Sequence, residues 1–476
     1  MLAALAFAQA MSRPNIIVIF SDDHARRAIS AYGGDLLKTP GIDGLARAGV
    51  RFDRHYTSNP ICAPSRATLL TGKISHANGH KDNVSSFDGS QVTLPKLLKE
   101  AGYDTAAIGK WHLQSNPTGF DHWEVLPGQG DYYHPRFITP LGEKVESGYV
   151  TDVITAKSLD WIRERKGKPF FLFMGHKAPH RNWVPRIEDL RKFAQKTYPE
   201  PKTLQSDLKE LASGARQVKM NIERDMRVKE DLLVDYVPPR LKPHEAELWR
   251  KERSSDDRAY WQTRTEKGVL RANYQRYMAD YLACISAVDQ SVAEVRTTLK
   301  KLRLDRNTIV VYASDQGFFT GENGWYDKRW FYEPSAGTPF VIAGPGISRR
   351  SVSQVTSNVD LAPTLLDLAG IAPAPGMQGR SLVPLLAGKP LAEVPAYGHF
   401  YESDDPDHKT PKYVAIATQR YKLIFYYELG EWELFDLVKD PDEQHPLKDP
   451  KLMKEMKDRL RQRMIEVGDP IPSAMD

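Results

Sequence analysis

The chain has 476 residues, of which 41% are hydrophobic and 27% charged, and its formal net charge is +5 at pH 7. That composition is globular, and the length suits one large α/β unit with an appendage or two to three domains. So mild a charge does not call for a nucleic-acid partner, nothing in the chain resembles an RNA- or DNA-binding module, and no run of about 18 apolar residues could form a membrane span.

Residues 2–10 are apolar and close on Ala8-Gln9-Ala10, the small-residue pattern of a cleavage site, so 1–10 reads as a signal-peptide remnant. An exported protein, periplasmic or secreted, is expected. Asn15-Ile-Ile-Val-Ile-Phe20 is continuously apolar, the pattern of a strand buried on both faces. It runs out into Ser21-Asp22-Asp23, which places two carboxylates at a strand's C-terminal edge, where open α/β sheets hold their ligands. A helix is expected over 39–48.

Asn59-Pro-Ile-Cys62-Ala-Pro-Ser-Arg66-Ala-Thr-Leu-Leu-Thr-Gly72 comes next. Pro64 suits the first turn of a helix and Gly72 its stop. Cys62 then lies at a helix N-terminus, which favours an anion, and Arg66 follows one turn later, so both can face one point. That combination suits a sulfate or phosphate ester. The alternative is a buried packing cysteine.

Further along, a helix over 93–101 leads to a strand over 103–109 and then Lys110-Trp-His112. A helix over 151–165 leads to a strand over 169–175, followed by His176-Lys-Ala-Pro-His180. Residues 186–267 are rich in charge and poor in apolar clusters, and read as a charged helical insertion with exposed helices. A long amphipathic helix over 274–301 carries the second cysteine, Cys284, as a packing residue, so no disulfide is expected. Another apolar strand over 307–313 ends in Ser314-Asp315-Gln316; a strand over 338–343 and a helix over 359–368 follow. From about 389 four strand-like pieces run without intervening helices, and a charged helix over 449–467 closes the chain. The fold class expected is α/β, with a large mixed, mostly parallel sheet covered by helices on both faces over 11–388 and a small C-terminal antiparallel sheet plus helix over 389–476.

Asp22, Asp23, Asp315 and Gln316 thus lie just past two buried strands. An all-oxygen donor set of this kind suits a hard divalent cation, Ca²⁺ ahead of Mg²⁺, whereas a single strand-end aspartate would more often cap a turn.

Cys62-Ala-Pro-Ser-Arg66 resembles the signature of the type I sulfatases, members of the alkaline phosphatase superfamily. The resemblance implies an alkaline-phosphatase-like fold and a Cys62 oxidised to formylglycine by a maturation enzyme before the chain folds. One hydroxyl of its hydrate would attack sulfur and the other would later expel sulfate. It further implies that Asp22, Asp23, Asp315, Gln316 and the modified Cys62 hold the metal; some members carry Asn in place of Gln316. Gly109-Lys-Trp-His-Leu113 is similar to the second signature, which gives Lys110 a contact to sulfate and His112 the role of general base in sulfate release. Ala178-Pro-His180 resembles the family's Pro-His element, with His180 as leaving-group contact or acid and His176 as a weaker candidate. Lys328, with Tyr332-Glu333 at the family spacing, would face the bridging ester oxygen, and Arg329 would pack or line the pocket. Glu433-Leu-Phe-Asp-Leu437 is similar to a C-terminal element of many members. In this reading Arg66, Lys110, His180 and Lys328 form the cationic field around one sulfate.

Within the family, Ser75-His-Ala-Asn-Gly79, the stretch over 120–133 and Pro179-His-Arg-Asn-Trp183 look like the N-acetylglucosamine-6-sulfatases and mucin-desulfating sulfatases. A sulfated saccharide is therefore the expected substrate. Two positions depart from the pattern: Gly337, where many members carry a basic residue, and the strand over 413–418 after His408, which lacks the expected His and Arg. The alternatives are another sulfate position such as a uronate 2-O-sulfate or an aryl sulfate, a phosphodiesterase or phosphonate hydrolase of the same superfamily, or an inactive glycan-binding protein.

Overall fold

The computed structural model describes residues 13–402 and 408–475; the signal-peptide expectation for residues 1–10 lies outside them. Ten strands form one sheet: β1 (Asn15–Ser21), β2 (Val50–Phe52), β3 (Asp104–Lys110), β4 (His122–Leu126), β5 (Arg136–Thr139), β6 (Gly142–Val145), β7 (Phe170–Gly175), β8 (Thr308–Ser314), β9 (Phe340–Ala343) and β10 (Arg350–Val352). Their order across the sheet is β10-β2-β9-β8-β1-β7-β3-β4-β5-β6. The central run β8-β1-β7-β3-β4 is parallel throughout. β9 is antiparallel to both its neighbours, and β5 and β6 add an antiparallel hairpin at the other edge.

Both faces are covered, which explains the unbroken apolar runs of β1, β7 and β8. Ile17 and Ile19 of β1 point into a core shared with the helices Val150–Arg163 and Val269–Lys301. Ile16, Val18 and Phe20 point the other way, against the helices Cys62–Thr71, Leu94–Glu100 and Leu361–Leu368. This is the α/β architecture expected from the alternation of strands and helices. Cys284 is a buried free thiol on the long helix, as is Cys62 at its own helix start.

Residues 186–267 differ from the expectation of exposed helices. Short helices lie at Leu190–Ala194 and Ser213–Gln217, and only Pro243–Thr263 is long. Between them, side chains satisfy the backbone locally: Asn221 Oδ1 accepts from the amides of Glu223 and Arg224, and Asp231 Oδ2 from that of Arg227. Such bonds compete with helix formation. Leu204, Ile222, Leu232 and Val234 are buried in the main core, so the segment is part of the body.

The C-terminal strands Ala396–Phe400, Tyr413–Ala417, Tyr421–Tyr426 and Glu431–Asp436 form an antiparallel meander. One face packs Ala415, Ile424 and Phe435 against Trp325, Trp330 and Tyr332. The other packs Val414, Ile416 and Leu423 against Met456, Leu460 and Met464 of the helix Pro450–Val467. Lys422 fastens this sheet to the body: its ammonium, 0% exposed, lies 2.9 Å from Glu333 and 2.7 Å from Glu443. Removing one member of a buried ionic cluster strands the others. Lys422→Met is expected to lower unfolding free energy by about 3 kcal/mol. That is the low end for a buried pair, because Arg26 still holds Glu333 at 2.8 Å. Denaturant unfolding measures the loss, and an unchanged midpoint would refute it.

Candidate active site

Four carboxyl-terminal strand ends converge on one point. β1 delivers Asp22 and Asp23, β8 delivers Asp315 and Gln316, and β3 delivers Lys110 with His112 just beyond. β7 leads into the loop bearing His180. The helix Cys62–Thr71 begins at the same point; Gly72, at φ +63°, donates its amide to the Thr68 carbonyl and stops it. The left-handed backbone of Asp23 (φ +64°) and His112 (φ +55°) bends both residues out of the strand direction.

Cys62 is fully buried and lies at the centre. Its Sγ is 3.2 Å from Asp22 Oδ1, 3.5 Å from Lys328 Nζ and 3.5 Å from Gln316 Nε2. Lys328 Nζ donates to Asp23 Oδ2 at 2.7 Å, and Lys110 Nζ pairs with Asp22 and with Gln129 Oε1. Nε2 of His180 stands 3.8 Å from Asp23 Oδ2. Its Nδ1 lies 2.5 Å from the Arg181 carbonyl, which can only accept, so Nδ1 carries the proton and Nε2 is turned to the site.

Arg66 has a different place from the free anion clamp suggested by its spacing. Nη2 and Nε bond Asp315 at 3.0 and 3.2 Å, Nη2 also reaches Asp22 at 3.3 Å, and Nη1 donates to the Lys110 carbonyl at 2.9 Å. The guanidinium adds charge to the site, but its donors hold the acids in position. The helix end is also partly used, because the Ala63 amide donates to Asn83 Oδ1 at 3.0 Å. His176 turns away altogether: its Nε2 meets Ser291 Oγ at 3.1 Å on the long helix, so the weaker candidate is a buried packing residue.

The electrostatics are those of a crowded acid cluster with cations at its rim. Burial alone would raise Asp22, but Lys110, His180, Arg66 and Lys328 hold it well below the usual carboxylate range. Burial pushes Asp23 up to about 6 against the pull of Lys328. Asp315 is pushed up to about 7 by burial and the charge of Asp22. Burial, then Lys110, pushes the His112 imidazole down to about 2. His180 is likewise held well below its ordinary range by burial, Lys110 and Lys328. Burial would lower Lys328, but Asp23 reverses this and keeps its ammonium charged. Oxygens of Asp22, Asp23 and Asp315 lie within 4.8 Å of one another, and Gln316 Oε1 is buried without a hydrogen-bond partner. Three close carboxylates and an unused amide oxygen fit a hard divalent cation, which would complete all four.

Sequence reasoning passed over Asn83, and quoted Arg181 within Pro179–Trp183 without giving it a role. Arg181, next to His180, is gripped by Asp231 with two 2.7 Å bonds from the segment over 186–267. Gln129 lies inside the quoted stretch over 120–133, so its signal was present without a role attached. Of the two departures, Gly337 has a steric cause: a Cβ there would lie 2.1 Å from Arg26 Nη2 and 2.6 Å from the Glu333 carbonyl. Gly337→Arg is therefore expected to lose about 1–3 kcal/mol by overcrowding, read as a lower melting temperature, with no gain of activity. The other departure has a packing cause: Tyr413–Ala417 is buried on both faces, between the body and the last helix.

This edge of the sheet, with a buried cysteine at a helix start, an acid cluster and a ring of cations, has the layout of an ester hydrolase of the alkaline-phosphatase-like class. The sulfatase family model matches residues 14–371, and the model described as N-sulphoglucosamine sulphohydrolase, C-terminal, matches residues 321–469. The chain belongs to the sulfatase family and is a sulfatase, an enzyme that hydrolyses sulfate esters. A relative named N-acetylglucosamine-6-O-sulfatase, from Bacteroides thetaiotaomicron, is 44% identical over 457 residues, covering 90% of this chain and 82% of that protein. A solved structure described as in complex with its substrate D-glucosamine-2-N,6-O-disulfate superposes with a TM-score of 0.93 at 39% identity, covering 97% of this chain and 99% of the other. A phosphonate monoester hydrolase of Agrobacterium radiobacter shares the fold, with a TM-score of 0.71 at 21% identity and 96% of each chain covered.

Proposed function

We propose that the enzyme removes the 6-O-sulfate of an N-acetylglucosamine- or glucosamine-type saccharide, with formylglycine at position 62 and one divalent cation, Ca²⁺ ahead of Mg²⁺. The observation that carries this reading is the convergence on Cys62 Sγ of Asp22, Gln316 and Lys328, within a cluster that also holds Asp23, Asp315, Lys110 and His180. The 44% identity to the 6-O-sulfatase supports the sugar and the position.

Asp22, Asp23, Asp315 and Gln316 would hold the cation, which supplies charge for the nonbridging sulfate oxygens and for the deprotonated nucleophile. Lys110 and Lys328, both ammonium donors at the acid rim, would bind the same SO₃ group from two sides, and Lys328 would meet negative charge developing on the leaving oxygen. Arg66 acts through Asp22 and Asp315 by fixing their orientation. His112, uncharged because it is buried beside Lys110, is free to accept the proton whose removal releases sulfate. His180 presents Nε2 toward the leaving group and becomes its acid once an anionic substrate favours its charged form. Residues 11–388 would form the catalytic unit and 389–476 a subdomain that closes it. A formylglycine-generating enzyme would be the obligatory partner, and export would accompany that maturation.

The test is a panel of sulfated monosaccharides and glycosaminoglycan fragments, with peptide mass spectrometry across Pro60 to Arg66. Turnover of N-acetylglucosamine 6-sulfate by aldehyde-bearing protein supports the reading; activity confined to 2-O-sulfated uronates would overturn it.

A further inference from the structure

A cleft of about 290 Å³ lies beside the reacting centre, lined in part by Gly130, Tyr132, Tyr133, Asn182, Tyr236 and Lys177. It borders the site on two sides. Gly130 follows Gln129, which takes a hydrogen bond from Lys110, and Asn182 lies two residues past His180. Tyr132 joins the walls by donating its hydroxyl to the His180 carbonyl at 2.6 Å. The cleft is therefore tied to the loop that carries His180, the residue read above as facing the leaving group.

Lys177 is 4% exposed, yet it lines this cleft. Its Nζ is 4.7 Å from the centroid of the Tyr132 ring, and among the described residues no carboxylate stands within 4.0 Å of it. Asp131 lies on the same wall but is drawn to Arg136 at 3.6 Å and Arg240 at 3.4 Å. The ammonium thus meets an aromatic face and the open cleft, with Asp22 and Asp131 attracting it only from beyond ion-pair distance, and a largely buried charge without a close partner is costly. Lys110 and Lys328, at the acid cluster, have carboxylates instead. Burial and Lys110 accordingly push the Lys177 amine down to about 7, so an anion arriving in the cleft would be met by a group with an unmet demand for charge.

We infer that Lys177 holds a second sulfo group carried by the same hexosamine, so that the cleft selects doubly sulfated glucosamine over its singly sulfated counterpart. This rests on the saccharide 6-O-sulfatase reading above and adds to it a residue for the second charge. Lys177 would take no part in bond cleavage, since it lies outside the cluster around Cys62.

The test uses matured full-length enzyme, the variants Lys177→Met and Lys177→Gln, and two substrates: D-glucosamine 2-N,6-O-disulfate and N-acetylglucosamine 6-sulfate. A charge-assisted hydrogen bond lost from binding predicts a rise of about 10- to 100-fold in KM for the disulfate. Its kcat should stay within about two-fold, and neither constant should move for the monosulfate. Equal losses on both substrates, or no loss on the disulfate, would overturn the assignment. If the wild-type enzyme turns over neither hexosamine while cleaving an aryl sulfate, the substrate reading has failed and this inference with it. Melting temperatures of both variants at or above wild type confirm that the comparison reports binding, since methionine removes a buried charge without leaving a void.

Discussion

Cys62→Ala protein is expected to show no turnover of any sulfate ester, a loss of roughly 10⁶-fold if the nucleophile contributes as it does in other covalent hydrolases. The same loss is expected for chain that keeps Cys62 as a thiol. Burial and the neighbouring Asp22 raise that thiol above its ordinary range, so almost no thiolate exists at neutral pH, and thiolate is the reactive form. Activity of a preparation should therefore track the fraction of aldehyde in the peptide spanning Pro60 to Arg66, measured by mass spectrometry. Because alanine fills most of the cysteine's volume, circular dichroism and melting should be close to wild type. Cys62→Ala activity within ten-fold of wild type would remove position 62 from the chemistry.

Stripping the proposed cation is expected to give the second large effect. A chelator is expected to abolish turnover, with Ca²⁺ restoring it. A ligand at 1,000 times its Kd that binds only the native state adds about 4 kcal/mol of stability, so the stripped protein should also melt earlier. The pH dependence gives a sharper check. Asp23 and Asp315, pushed up to about 6 and about 7, bind protons in the native state that the unfolded chain has already released above pH 4. Their contribution to stability therefore falls as pH rises from about 4 to about 7. Asp22, held low, contributes in the opposite sense, and only below its ordinary value near 3.8. A cation displaces those two protons, so the gap between the melting temperatures of loaded and stripped protein should widen from pH 5 to pH 8. A gap independent of pH would mean that Asp23 and Asp315 are not ligands.

The sequence made the parallel core legible because β1, β7 and β8 are buried on both faces and carry no polar interruption. β2, β4, β10 and the β5–β6 hairpin were missed: β2 and β10 span only three residues each, β4 is only half-buried over its first three residues, and β6 is fully exposed, so neither length nor alternation marks them. The acid cluster and Lys110 were readable since each follows directly on a strand end. The roles of Asn83, Gln129 and Arg181 were not, although the last two stand in quoted stretches, because they act through partners 19 to 50 residues away, the Ala63 amide, Lys110 and Asp231. The same distance effect misled the reading of Arg66, whose spacing from Cys62 said nothing of the two carboxylates waiting across the sheet.

The register of β1 against β8 has a consequence for synthesis. Asn15 pairs with Thr308 and Ser21 with Ser314, so the strand that bears Asp315 leaves the ribosome about 250 residues after Cys62. At about 5–20 residues per second this delay lasts roughly 10–50 s. During it the Cys62 helix lacks the partner that encloses it, so the proposed oxidation to formylglycine would fall in this window. Once β8 is in place the position is buried, so on the proposed maturation slowing translation downstream of residue 66 should raise the aldehyde yield, and a finished chain should be beyond rescue unless it is first unfolded.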